Sequence, residues 1–278
     1  LTFFPIYHMI NNQKVSSMHT FSALVLLLSA LFYGKEIYEM KKKKSFVLKL
    51  ILLLLLILAV VCIVYVNIYY HAEDVSDALS SSDTVTVAQF SDGWLFDGSG
   101  ENSALIFYPG ARVEASAYAP LMHMISESGI DCFLVKMPCN LAFLGSGKAE
   151  NIMEKYGYEH WYIGGHSLGG AMAADYAAGH SSAFDGLVLL ASYSAKDLSD
   201  ASFPVLSIYG SEDGVLNIDK VESSRKFMPQ VYGEHVITGG NHAWFGSYGE
   251  QKGDGTAAIS HEEQWLETVN YILGILEK

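Results

Sequence analysis

From Thr84 to the end of the chain, short apolar runs alternate with longer stretches of mixed polarity. The runs Ala104–Tyr108 (ALIFY), Asp131–Lys136, His160–Ile163, Gly186–Ala191, Pro204–Tyr209 and Val231–Ile237 predict strands. The stretches Ala115–Ser128, Lys148–Tyr156, Leu168–Ala178, Ile218–Phe227 and His261–Leu276 predict helices. A strand that is apolar at nearly every position has both faces covered, so the alternation implies an α/β fold with a mostly parallel central sheet and helices on both faces. Ahead of it, Val85–Phe90 and Trp94–Phe96, separated by Ser91-Asp92-Gly93, predict a hairpin-like opening.

The pattern before Thr84 is different. Leu50–Val66 carries no charge, which is enough apolar chain to cross the hydrocarbon core as a helix, and residues 45–70 are read as a transmembrane anchor. Lys41–Lys44 lie on its N-terminal side and an acidic, serine-containing stretch on the other. By the positive-inside rule the lysines are expected to stay in the cytoplasm, with residues 1–44 a cytoplasmic segment or a possible extra membrane segment, and everything after Tyr70 is expected to be extracytoplasmic. Phe21–Tyr33 is a shorter apolar run that would make a second span only with its neighbours, and the later domain stays outside in either case. A cleaved signal would have a shorter apolar core and small residues at its exit; Cys62-Ile-Val-Tyr-Val is neither, so the anchor is expected to be retained. Residues 71–83 (Ser-rich SDALSSSD within them) are expected to tether the α/β domain, residues 84–278, to the cell membrane.

Charge follows the same division. Residues 1–71 hold 7 Lys/Arg and 2 Asp/Glu, a balance of +5, and residues 72–278 hold 10 and 28, a balance of −18. So acidic a domain is not expected to bind nucleic acid or an anionic lipid surface. The cysteines Cys62, Cys132 and Cys139 make no disulfide framework and are read as free thiols. An exported domain of this kind suggests a bacterial envelope.

Candidate chemistry is concentrated at Gly165-His166-Ser167-Leu168-Gly169, a G-x-S-x-G pentapeptide between a predicted strand and a predicted helix. A serine delivered on such a turn is exposed at the sheet edge, and small residues around it let the helix pack closely. Read alone, the pentapeptide is equally a tight βα turn with Ser167 as an N-cap. A serine nucleophile needs a base and an acid that orients the base. The strand Pro204–Tyr209 runs into Gly210-Ser-Glu-Asp-Gly, with Asp213 as the acid and Glu212 as the alternative. Val231–Ile237 runs into Thr238-Gly-Gly-Asn-His-Ala-Trp-Phe, with His242 as the base. His160, His166 and His235 are read as structural. For an oxyanion hole, Leu168 N–H follows the nucleophile, and Ala111 N–H, in Pro109-Gly-Ala-Arg after the first core strand, is the second donor; Pro-Gly there is alternatively only a turn. Asp254 in Gly-Asp-Gly is read as a turn former.

The segments LIFYPGARVEASAYAPL, VKMPCNLAFL, GGHSLGGAMA, YGSEDG and GGNHAWFGSYGEQKGDGTAAIS resemble the α/β-hydrolase family, in particular its compact dienelactone-hydrolase-related type. The resemblance covers the chain from about Ala104 onward. It implies an α/β-hydrolase fold with Ser167 as nucleophile, Asp213 as acid and His242 as base, using no cofactor and no metal. Cys139 departs from the apolar residue expected there, which bears on pocket shape. Only Ser192–Phe203 separate two strands where many relatives insert a lid, so an uncapped pocket is expected, lined by Asn140, Leu141, Tyr193, Trp244 and Phe245. The expected activity is that of a membrane-anchored serine hydrolase, carboxylesterase-like, with a small or medium acyl ester as its small-molecule partner. The alternatives are the same triad on a thioester, lactone or peptide bond, and a catalytically silent surface binding module.

Overall fold

The computed structural model describes residues 4–100 and 102–276 of the chain. These divide into two units, Leu1–Tyr65 and Val66–Lys278. The first is occupied by a single helix, α1 (Phe4–Asn67), which extends to the start of the second unit. Phe32–Asn67 within it is long and apolar enough to cross a membrane. Lys41–Lys44 are helical, so the two apolar runs lie on one continuous helix.

The second unit is built on one eight-stranded sheet whose strands lie in the order β1 (Thr86–Phe90), β2 (Gly93–Asp97), β4 (Asp131–Val135), β3 (Ser103–Tyr108), β5 (His160–His166), β6 (Gly186–Leu190), β7 (Val205–Gly210) and β8 (Tyr232–Ile237). β1 and β2 form the hairpin, and β2 pairs antiparallel with β4. The remaining strands, β3, β5, β6, β7 and β8, pair in parallel. Every residue of β4, β6 and β7 is buried, which is why these strands have no polar side in the sequence.

Successive side chains of a strand point to opposite faces, so β3 feeds two cores. Leu105 and Phe107 pack with Leu121, Met122 and Ile125 of α2 (Ala119–Glu127) and with Trp265, Val269 and Ile272 of α6 (His261–Leu276). Ile106 and Tyr108 pack with Ala149 and Ile152 of α3 (Lys148–Lys155) and Ala173, Ala174 and Ala177 of α4 (Leu168–Gly179). Helix α5 (Ile218–Ser224) follows β7. The predicted helix Ala115–Ser128 is divided: Ala115–Tyr118 is a 3-10 turn, and Pro120 opens the α-helical part. The predicted strand at His160 runs on to His166, directly into the elbow.

Residues 71–83, expected as a tether, lie along the domain and are bonded to it. Glu73 N–H donates to Ser247 O at 2.8 Å, and Val85 is buried at the point where β1 begins.

Candidate active site

β5 ends at His166 and α4 starts at Leu168, so the whole reversal falls on Ser167. Its backbone takes φ 54° and ψ −123°, a conformation that costs a non-glycine residue about 1–3 kcal/mol and persists only where the surroundings impose it. Ser167 N–H donates to Leu190 O at 2.9 Å, and Ser167 O accepts from Ser192 Oγ at 2.7 Å. The flanking glycines permit the close approach this needs. A Cβ on Gly165 would stand 2.5 Å from Tyr108 O, and one on Gly169 would stand 2.1 Å from it. Ser167 makes no side-chain cap hydrogen bond to α4, so the N-cap alternative does not describe it.

Two further loops leave the same sheet edge. After β7, Asp213 Oδ1 accepts Val215 N–H at 2.9 Å and Leu216 N–H at 2.8 Å, which fixes the carboxylate; its Oδ2 is 2.8 Å from His242 Nδ1. Both side chains are shut off from solvent. Glu212 instead accepts from Ser211 Oγ. With Nδ1–H donating to the carboxylate, His242 Nε2 carries the lone pair, and that atom is buried without a partner among the described residues. Ser167 and His242 line one cavity of about 250 Å³.

The turn after β3 leaves one donor unspent. Gly110 N–H donates to Tyr118 Oη at 3.1 Å, Arg112 N–H to Asn140 O at 2.7 Å, Val113 N–H to Gly110 O at 3.3 Å and Glu114 N–H to Tyr70 O at 2.9 Å. Among the described residues, Ala111 N–H has no partner, and neither has Leu168 N–H at the first position of α4. The turn lies against the elbow, because a Cβ on Gly169 would also meet Pro109 O at 2.4 Å.

His166, fully buried, lies directly beside His242. Because Tyr118 Oη accepts from Gly110, its own proton is donated to His166 Nδ1, 2.8 Å away. Burial first, and the charge of His242 second, push the His166 imidazole well below its ordinary pKa. Its ring centroid is 4.5 Å from that of His242 and 5.7 Å from that of Phe245.

Of the residues expected at the site, Ser167, Leu168, Tyr193 and His242 line the cavity. The rest of its wall is Ala171, Ala191, Ser192, Val215, Leu216 and Asn217, of which the stretch 215–217 was foreshadowed by its place directly after Asp213. Asn140, Leu141, Trp244 and Phe245 are not among the residues that line this cavity. Asn140 braces Arg112, and Leu141 is buried. Phe245 is buried in the core, and Trp244 stacks on His261 at 4.2 Å beside a separate cleft. Both are turned away by the 3-10 turn Ala243–Phe245. Asp254 does more than form a turn: Oδ1 accepts from Gly214, His242 and Gly255 N–H, and Oδ2 from Ala243 N–H. Among the described residues, no three His, Cys, Asp or Glu side chains group as metal ligands.

The sheet order and the elbow at its centre define a hydrolase fold of the α/β class. The sequence profile of the alpha/beta hydrolase family matches residues 104–266, more than half of the chain, and the chain belongs to that family. Among solved structures it is similar to the Thermus thermophilus protein TT1662, with 13% identity, a TM-score of 0.53, and coverage of 70% of this chain and 99% of that one. A dienelactone hydrolase from Anabaena variabilis gives 14% identity and a TM-score of 0.53 over 69% of this chain and 99% of its own. Carboxylesterase CesB from Bacillus subtilis gives 9% identity and a TM-score of 0.50 over 72% and 96%. At these identities the fold is what is shared. No curated protein sequence matches the chain.

Proposed function

We propose that the protein is a serine hydrolase of carboxylesterase type, anchored in the cell membrane by its N-terminal helix with residues 84–278 on the extracytoplasmic side. The observation that carries the reading is the bare, buried Nε2 of His242, oriented through Asp213, on the cavity that Ser167 also lines. Nε2 takes the Ser167 hydroxyl proton as Oγ attacks the ester carbonyl, and Asp213 stabilises the imidazolium that forms. The oxyanion is held by Leu168 N–H and Ala111 N–H, both without a partner among the described residues. His242 then returns the proton to the leaving alkoxide. Water, deprotonated by the same nitrogen, attacks the acyl-enzyme and releases the acid.

Leu168, Ala171, Val215 and Leu216 give the cavity an apolar wall, and its volume of about 250 Å³ suits a small or medium acyl group. Ser192–Phe203, between β6 and β7, contains no helix or strand that would cap it. The likeness in fold to a dienelactone hydrolase and a carboxylesterase is consistent with ester chemistry. Lys41–Lys44 ahead of the apolar stretch support the orientation, and externally added protease should then digest the domain on intact cells.

The test is hydrolysis by the detergent-solubilised full chain of p-nitrophenyl esters from acetyl to palmitoyl, beside a thioester, a lactone and a peptide. The reading expects the highest kcat/KM on short to medium esters and background rates for Ser167→Ala. Preference for another bond would reassign the substrate, and a wild type no faster than Ser167→Ala would indicate a binding module.

A further inference from the structure

Arg112, immediately after the proposed oxyanion donor Ala111, has φ 58°, a left-handed conformation that a side chain other than glycine adopts only when held there. Three of its hydrogen bonds bear on that conformation. Its N–H donates to Asn140 O at 2.7 Å, its carbonyl accepts Tyr70 N–H at 2.7 Å, and its Nε donates to Ile68 O at 2.7 Å. Two of the three come from the segment directly after the apolar helix. That segment also forms a parallel bridge from Tyr70 to Val113, accepts Glu114 N–H at Tyr70 O, and accepts Lys252 N–H at Tyr70 Oη, 3.2 Å away. Further on, Glu73 and Ser247 exchange two bonds, Glu73 N–H to Ser247 O at 2.8 Å and Ser247 Oγ to Glu73 O at 2.7 Å. Ser247 and Lys252 lie between His242 and Asp254, the residue whose carboxylate holds the His242 backbone.

We propose that Ile68–Glu73 is a positioning element of the active site, a strap that holds Arg112 left-handed and so keeps the Gly110–Val113 turn in the form that leaves Ala111 N–H for the oxyanion. The inference rests on the reading of Ala111 given above. In a turn closed by Val113 N–H to Gly110 O, the peptide before Arg112 swings if Arg112 leaves the left-handed region, and Ala111 N–H moves with the backbone on either side of it. A strap that begins where the apolar helix ends makes the membrane-proximal chain part of the catalytic unit. Cutting it away would remove the bonds that Ile68 and Tyr70 make to Arg112.

The experiment compares Arg112→Ala, Arg112→Gly, Tyr70→Pro and Ser167→Ala in the full chain in detergent. It measures kcat and KM on p-nitrophenyl butyrate, inhibition by a trifluoromethyl ketone, and the melting temperature. Arg112→Ala lacks the side-chain bond and still resists the left-handed region; glycine adopts that region freely. The proposal expects roughly ten- to a hundredfold lower kcat for Arg112→Ala, with KM little changed and the ketone weakened in parallel. Arg112→Gly should recover most of the rate, a pattern that loss of stability alone does not produce. Tyr70→Pro, which deletes the N–H given to Arg112 O, should resemble Arg112→Ala. If Tyr70→Pro does not fold, the Arg112 pair decides. Wild-type kcat in Arg112→Ala, with Ser167→Ala inactive, would overturn the strap's role and leave the site standing. A wild type no more active than Ser167→Ala would overturn the reading of the site, and the strap's role with it.

Discussion

The carboxylate of Asp254 accepts the backbone N–H of His242 at 3.2 Å, and the same oxygen accepts Gly214 N–H at 3.1 Å. One side chain therefore joins the loop that carries Asp213 to the loop that carries His242. The Asp213–His242 hydrogen bond spans two separate loops, and its length of 2.8 Å is maintained from outside the pair. Asp254 sits twelve residues after the base, in a Gly-Asp-Gly turn whose sequence advertises only the turn.

Replacing Asp254 by alanine removes the acceptor of four backbone N–H groups, half-buried ones among them. Asp254→Ala is expected to lower stability by about 1–3 kcal/mol and kcat by roughly tenfold or more, with Asp254→Asn, which keeps one oxygen, losing less of both. Tryptophan-fluorescence melting and steady-state kinetics on the same preparations check it. Equal activity in all three would show that the two loops hold their places without Asp254.

The buried His166 makes a pH prediction with a definite sign. Burial keeps it neutral in the native state well below its ordinary value of 6.5, and the unfolded chain takes up the proton near that value. The native state therefore loses stability as pH falls below about 6.5, whereas above it this group contributes no pH dependence. His166→Asn, which keeps an acceptor for Tyr118 Oη, should flatten the urea-midpoint curve between about pH 5 and 6.5 relative to wild type. Parallel curves for the two proteins would contradict the assignment.

The wall of the cavity predicts how selectivity can be moved. Leu216→Ala enlarges the apolar side and should shift the preferred ester toward longer acyl chains. Ala171→Leu fills it and should lower kcat/KM on the longer esters by roughly tenfold while sparing acetate. Substrate profiles that stay unchanged in both would place the acyl group elsewhere.

Much of the fold was legible because of burial. Strands covered on both faces, such as Gly186–Leu190 and Val205–Gly210, are apolar at nearly every position, and their runs stand out between amphipathic helices. The elbow was legible because a strand-to-helix reversal on one residue needs glycine on either side. The chain order Ser167, Asp213, His242 then selected one carboxylate and one imidazole, and the structure brings that pair together while Glu212 bonds to Ser211. Trp244 and Phe245 were expected at the pocket; a single 3-10 turn sends Phe245 into the core and Trp244 onto His261, a rotation the sequence does not encode locally. Tyr118 meets His166 across 48 residues, and nothing near either position signals the other. The segment after the apolar helix looked like a linker because backbone hydrogen bonds hold it, and backbone bonds leave no composition behind.

The central claim is that Ser167 is a nucleophile activated by His242, and fluorophosphonate labelling of the full chain tests it most directly. The account predicts stoichiometric labelling, an adduct on the peptide containing Ser167, no labelling of Ser167→Ala, and labelling slowed by orders of magnitude in His242→Ala. An unlabelled wild type with an intact thermal transition, or a label that stays at wild-type rate in His242→Ala, would contradict it.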